Sequence, residues 1–236
     1  MKYFSQYTLF KLTLIFLSLS LGFLPLETLA HGVTSGDKAF IEGNQGLNMI
    51  PFIYLGAKHM VTGYDHLLFL FGVIFFLRRL KDVAIYVTLF AVGHSVTLLY
   101  GVLSEIHVNA YLVDAVIGFS VVYKAMDNLD MFKRYFGYQP NNKLAVWLFG
   151  LIHGFGLATK LQDFELSPDG LVGNIISFNI GVESGQLLAL SLMLIILGFL
   201  RQSAKFSKWA LWCNLSLVTA GVVLIFYQLT GYFITN

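Results

Sequence analysis

Seven ionisable side chains interrupt stretches of sequence that are otherwise apolar: His59, Asp65, His66, His94, Asp114, His153 and Glu183. Such groups are expensive within apolar surroundings and usually serve function. Several imidazoles with one or two carboxylates and no thiolate form a nitrogen/oxygen site. That donor set suits nickel, cobalt, zinc, copper(II) or iron(II), and not copper(I), which prefers sulfur. The one cysteine, Cys213, excludes an internal disulfide and a cysteine cage, and the six methionines are too scattered for a thioether relay. A lone histidine in a span is often only a helix-to-helix donor; seven ionisable groups in one small chain point to a shared site.

Spacing sharpens the pattern. His59 and His66 are two helical turns apart and share a face, with Asp65 placed to orient an imidazole as acceptor. Asn179, Glu183 and Gln186 stand at i, i+4 and i+7, a polar stripe on an apolar helix. Leu89-Phe90 precedes His94 as Leu148-Phe149 precedes His153, a faint repeat that sets both imidazoles at one depth. Gly56 and Gly63 on one segment, and Gly181 and Gly185 on another, permit close helix approach. A proton relay or a haem held by paired histidines remains open. For hydrolysis the zincin spacing and the Gly-x-Ser-x-Gly elbow are missing.

The elements that position these groups are transmembrane helices. The hydrophobic fraction is 57% and the charged fraction 12%, about half the charge of a soluble domain. A span takes about 20 apolar residues, so the chain has room for six or seven spans and no soluble domain. The expected class is all-α, a polytopic bundle of six spans after a cleaved signal peptide at 1–30. An extracytoplasmic segment follows at 31–50 and the membrane domain at 51–236. Lys2 and Lys11 precede the apolar stretch 12–24, and Thr28-Leu29-Ala30 suggests cleavage after Ala30. The mature chain would then begin at His31, whose α-amine and imidazole can capture a metal ion outside.

We place the spans at Pro51–Leu77, Val83–Leu103, Ala110–Met126, Leu144–Thr159, Leu171–Leu200 and Trp209–Phe233. Arg78, Arg79 and Lys81, then Lys133, Arg134 and Lys143, then Arg201, Lys205 and Lys208 fall in alternate loops. By the positive-inside rule those loops are cytoplasmic and both mature termini lie outside. With that layout every ionisable group lies between the midplane and the outer face. The first and fifth spans are longer than a bilayer needs, and such segments tilt, kink or break into half-helices. The net charge of +2 gives no ground for a nucleic-acid partner. The partners expected are the lipid bilayer and a metal ion, with protein partners undetermined.

The segments carrying these residues resemble the HupE/UreJ family of membrane proteins, proposed nickel/cobalt permeases. The first span reads GAKHMVTGYDHLLFL, Gly56–Leu70, similar to the family's signature of histidine, five residues, then Asp-His. GHSVTL, VDAVIGFSVVYKAMDN, HGFGLA and FNIGVESGQ follow in order, one to a span, and the match covers nearly all of the mature chain. The resemblance implies a bacterial inner-membrane location. It makes His59, Asp65, His66, His94, His153 and Glu183 candidate metal contacts, with Asp114, Asn179, Gln186 and His31 in support. Asp114 stands where the family is expected to carry Glu, and Lys58 puts a positive charge beside the signature. The leading reading is inward transport of nickel or cobalt. The rival is a metal-dependent membrane enzyme or a non-transporting accessory protein, favoured by the apolar inner halves of the spans, as in Leu67–Leu77 and Leu187–Leu200.

Overall fold

The computed structural model of the protein describes residues 41–43, 46–162 and 168–235. The expected signal peptide and His31 lie outside the described residues. Every regular element among them is a helix: α1 Met49–Thr62, α2 Tyr64–Ile74, α3 Leu80–Leu103, α4 Ala110–Asn128, α5 Met131–Phe136, α6 Asn142–Gln162, α7 Leu171–Gln202 and α8 Phe206–Thr235. Four of them, α3, α6, α7 and α8, are long and apolar enough to cross a membrane. The 19-residue α4 has comparable length, but Asp114, Lys124 and Asp127 interrupt its apolar run.

The bundle is three tightly packed helix pairs, α1 with α7, α3 with α6 and α4 with α8. Glycine sets each contact, because apolar helices gain most where backbones approach closely. A Cβ at Gly93 of α3 would fall 2.6 Å from the Trp147 carbonyl oxygen of α6, and one at Gly150 would fall 2.5 Å from that of Phe90. Gly56 of α1 rests on the α7 backbone at Phe178, Gly181 and Gly185 rest on α1, and Gly118 of α4 faces Gly221 of α8.

The first long segment breaks at Gly63, which ends α1 and begins α2 with φ −75° and ψ 95°. Thr62 bonds back to the Lys58 carbonyl at 2.8 Å, which loosens the turn ahead of a residue with little helix propensity. Within a bilayer every backbone group freed by such a break needs a partner. The Asp65 carboxylate supplies one, accepting from the His66 N–H at 2.6 Å. At the far end of α2, Arg201 of α7 donates to the carbonyls of Ile74 and Phe75 at 2.9 and 2.8 Å. The second long segment, α7, is unbroken over 32 residues. Its serines Ser177, Ser184 and Ser191 bond carbonyls of their own helix four residues back. The space at Gly181 and Gly185 is filled by the α1 backbone, and the helix runs through both without a break.

Candidate metal centre

Three helices each bring one histidine into ring contact with His66, which a fourth helix carries. His59 closes the last turn of α1, His66 opens α2, His94 is mid-α3 and His153 mid-α6. His66 is the hub: its ring centroid lies 5.3 Å from that of His59, 6.0 Å from His94 and 4.7 Å from His153. His66, His94 and His153 are buried, with relative exposures of 2%, 0% and 0%. His59 is half-buried at the rim. The break at Gly63 lets His59 and His66 sit on two short helices and still meet.

Neighbouring groups fix which ring nitrogens carry lone pairs. Asp65 Oδ1 lies 2.8 Å from His66 Nδ1. A carboxylate only accepts, so Nδ1 donates and the lone pair of His66 is on Nε2. One carboxylate oxygen thus orients the ring and restrains the backbone beside it. Ser120 of α4 donates to the Ile117 carbonyl at 2.6 Å, and its oxygen lies 3.3 Å from His153 Nε2. That oxygen can only accept from the ring, which puts the lone pair of His153 on Nδ1. Asn179 of α7 stands beside His94. Neither amide atom of Gln186 on α7 has a hydrogen-bond partner, although the side chain is fully buried. Buried polar atoms in that condition cost stability unless something else occupies them.

Imidazoles sharing one ion at bonds of about 2.0–2.1 Å hold their centroids roughly 5 Å apart. The spacing around His66 is on that scale. The rings meet edge to face, at 70–84° between His66 and its two buried neighbours. Among the described residues no three His, Cys, Asp or Glu side chains already converge as a ligand set. The arrangement therefore supplies nitrogen donors at suitable spacing, and ring rotation has to complete the convergence.

Two expected members stand elsewhere. Glu183 is exposed on the outer surface of α7, not buried with the histidines. The stripe at 179, 183 and 186 wraps the edge of the helix, so Asn179 and Gln186 face inward while the carboxylate between them does not. Asp114 is buried but spoken for: its Oδ2 accepts from Lys160 of α6 at 2.7 Å and from Gln228 of α8 at 3.3 Å. Its role is to join α4, α6 and α8. Ser120, Lys160 and Gln228 were not legible as partners, because no helical spacing announces a contact between helices. A polar cluster at the opposite end of α4 was missed for the same reason. There Lys124 pairs with Asp127 at 2.5 Å, Asp127 also accepts from Gln139, and Asn128 donates to Asn214 of α8 at 2.9 Å.

The HupE / UreJ protein family model matches residues 35–236, almost the whole chain and every element that carries a histidine of the cluster. The chain belongs to the HupE/UreJ family. That family is associated with nickel and cobalt transport or accessory roles. No curated protein and no solved structure matches the chain.

Proposed function

We propose that this HupE/UreJ protein is a permease for a divalent transition metal, nickel or cobalt first, with the ion as its substrate. The observation that carries the reading is the meeting of histidines from α1, α2, α3 and α6 around His66. His59, half-buried at the rim, receives the ion. His66, held by Asp65, passes it inward, and His94 and His153 supply the buried donors. Imidazole and carboxylate at this density suit nickel, cobalt, zinc, copper(II) and iron(II); the family association selects nickel or cobalt. Glu183, on the bundle's surface, acts at most on the ion's approach.

In this reading α1 and α2 together make one broken crossing and α4 another, which with the four long helices gives six. The basic loops then face the cytoplasm and the termini the outside, with a signal peptide removed at Ala30 and His31 as an outer capture point. Half-helices meeting at a buried ion site are a recurrent transporter device, which supports the reading from α1 and α2. The rival of a non-transporting metal-binding protein is favoured by the aromatic packing of Phe69, Phe90 and Phe149 against the cluster. Nickel uptake into proteoliposomes separates the two. The permease reading expects uptake by the unmodified protein and none by His66→Ala. Binding without uptake would leave the accessory role.

A further inference from the structure

At the end of the bundle that carries Lys133 and Arg134 lies a cavity of ≈ 320 Å³, lined by Val73, Tyr86, Lys124, Asp127, Gln139 and Asn142 among others. Each of the four helices that line it also carries a residue of the histidine site or its support. On α2 the series is His66, Phe69, Val73; on α3 His94, Phe90, Tyr86; on α6 His153, Phe149, Asn142; on α4 Ser120, Lys124, Asp127. At about 1.5 Å per residue, the cavity lies roughly 10–16 Å below the histidines along the same axis. Between the two is an aromatic layer. Phe69 stands 5.5 Å from Phe90 and 5.6 Å from Phe149, and all three are buried. Phe90 and Phe69 in turn touch His153, at 5.0 and 5.6 Å.

On α4 the series is polar throughout. Ser120, Lys124 and Asp127 stand at i, i+4 and i+7, on one face. Ser120 touches His153 above the aromatic layer, and the Lys124–Asp127 pair faces the cavity below it. The Lys124 stem packs where a side chain at Gly72 of α2 would go. Lysine 124 is thus 6% exposed and Asp127 4%, a buried pair beside an apolar constriction.

We propose that this cavity is the second compartment of the ion path, closed from the histidine site by the Phe69–Phe90–Phe149 layer, with Lys124 and Asp127 as the charged groups at its threshold. The proposal rests on the permease reading. A constriction of this kind gates by excluding water and ions until its rings part. Lys124 neutralises Asp127 while the layer is closed, and an arriving divalent cation replaces the ammonium as the partner of that carboxylate.

Thiol accessibility tests it without any metal. In the full chain with Cys213→Ala, a membrane-impermeant maleimide is applied from the Lys133–Arg134 face to two reporters, Asn142→Cys in the cavity and Ser120→Cys at the histidine site. The Ser120→Cys thiol should react at least roughly tenfold more slowly than the Asn142→Cys thiol, as a closed apolar constriction requires. Adding Phe69→Ala, or separately Phe149→Ala, should bring it near the cavity rate while leaving the Asn142→Cys rate unchanged, which also shows that the fold survives. Equal rates with the layer intact, or a gap that neither alanine narrows, would overturn the proposal. Because labelling needs no nickel, absent uptake would defeat the permease reading alone, leaving the barrier itself to be measured.

Discussion

The histidine cluster and the Asp114 cluster occupy the same bundle, are comparably buried and come from overlapping helices, yet differ in what their polar atoms do. Asp114 Oδ2 meets an opposite charge from Lys160 and an amide from Gln228, so three helices are joined through one carboxylate oxygen, while Oδ1 has no hydrogen-bond partner. Around His66 the imidazoles of His59, His94 and His153 meet one carboxylate, that of Asp65, with His94 and His153 fully buried. In the first region the carboxylate's charge is met by an ammonium, and the contact holds structure. The second gathers four nitrogen-donor rings about one carboxylate, which is a donor set that suits a transition-metal ion. Ionisable groups within a bundle are therefore told apart by what they meet across the helix interface.

The largest effect expected on the histidine side is from His66→Ala, which removes the hub. Nickel affinity, measured by calorimetry in detergent, should fall by more than the ~100-fold that loss of a merely supporting partner reaches. Retained affinity would erase the distinction between the two regions. Asp65→Asn comes next. It keeps the volume but weakens the acceptor of His66 Nδ1–H, so affinity should fall about 10–100-fold.

On the structural side, Asp114→Ala should leave affinity within about twofold and lower stability instead. Breaking a buried ion pair costs about 3–5 kcal/mol, and the 16% exposed Lys160 side chain, near the end of α6, can reach toward the interface. The lower end, about 3 kcal/mol, is expected in a thermal or denaturant unfolding measurement. The smallest effect belongs to Glu183→Gln. Being exposed, this carboxylate should change nickel affinity less than about threefold, well below the effect of losing a supporting ligand. A large loss would return Glu183 to the site and require α7 to rotate.

Much of this was legible in the sequence. The all-helical class followed from apolar run lengths; α3, α4, α6, α7 and α8 each begin and end within three residues of an expected span, while the first expected span is divided between α1 and α2 and the short α5 lies in none. The possibility of a broken first segment was visible in its length and glycines; that Gly63 breaks it while Gly56 packs against α7 depends on which glycine meets another backbone. The same uncertainty led α7 to be grouped with it, although α7 is continuous. The histidines were legible as a set because each is a rare group in an apolar run. Glu183 stands exposed, apart from the histidines, because a stripe at i, i+4 and i+7 spans an arc wide enough to turn the corner of a helix. Lys124, Asp127 and Ser120 were not read as site residues because they sit near a predicted span end or carry no charge.

The central claim is that imidazoles from several helices take the ion together. Nickel K-edge X-ray absorption on the loaded, purified protein tests it directly. The account predicts multiple-scattering features from at least two imidazoles in the unmodified protein, reduced in His94→Ala and absent in His66→Ala. A shell of light atoms without imidazole scattering, unchanged by either substitution, would contradict it.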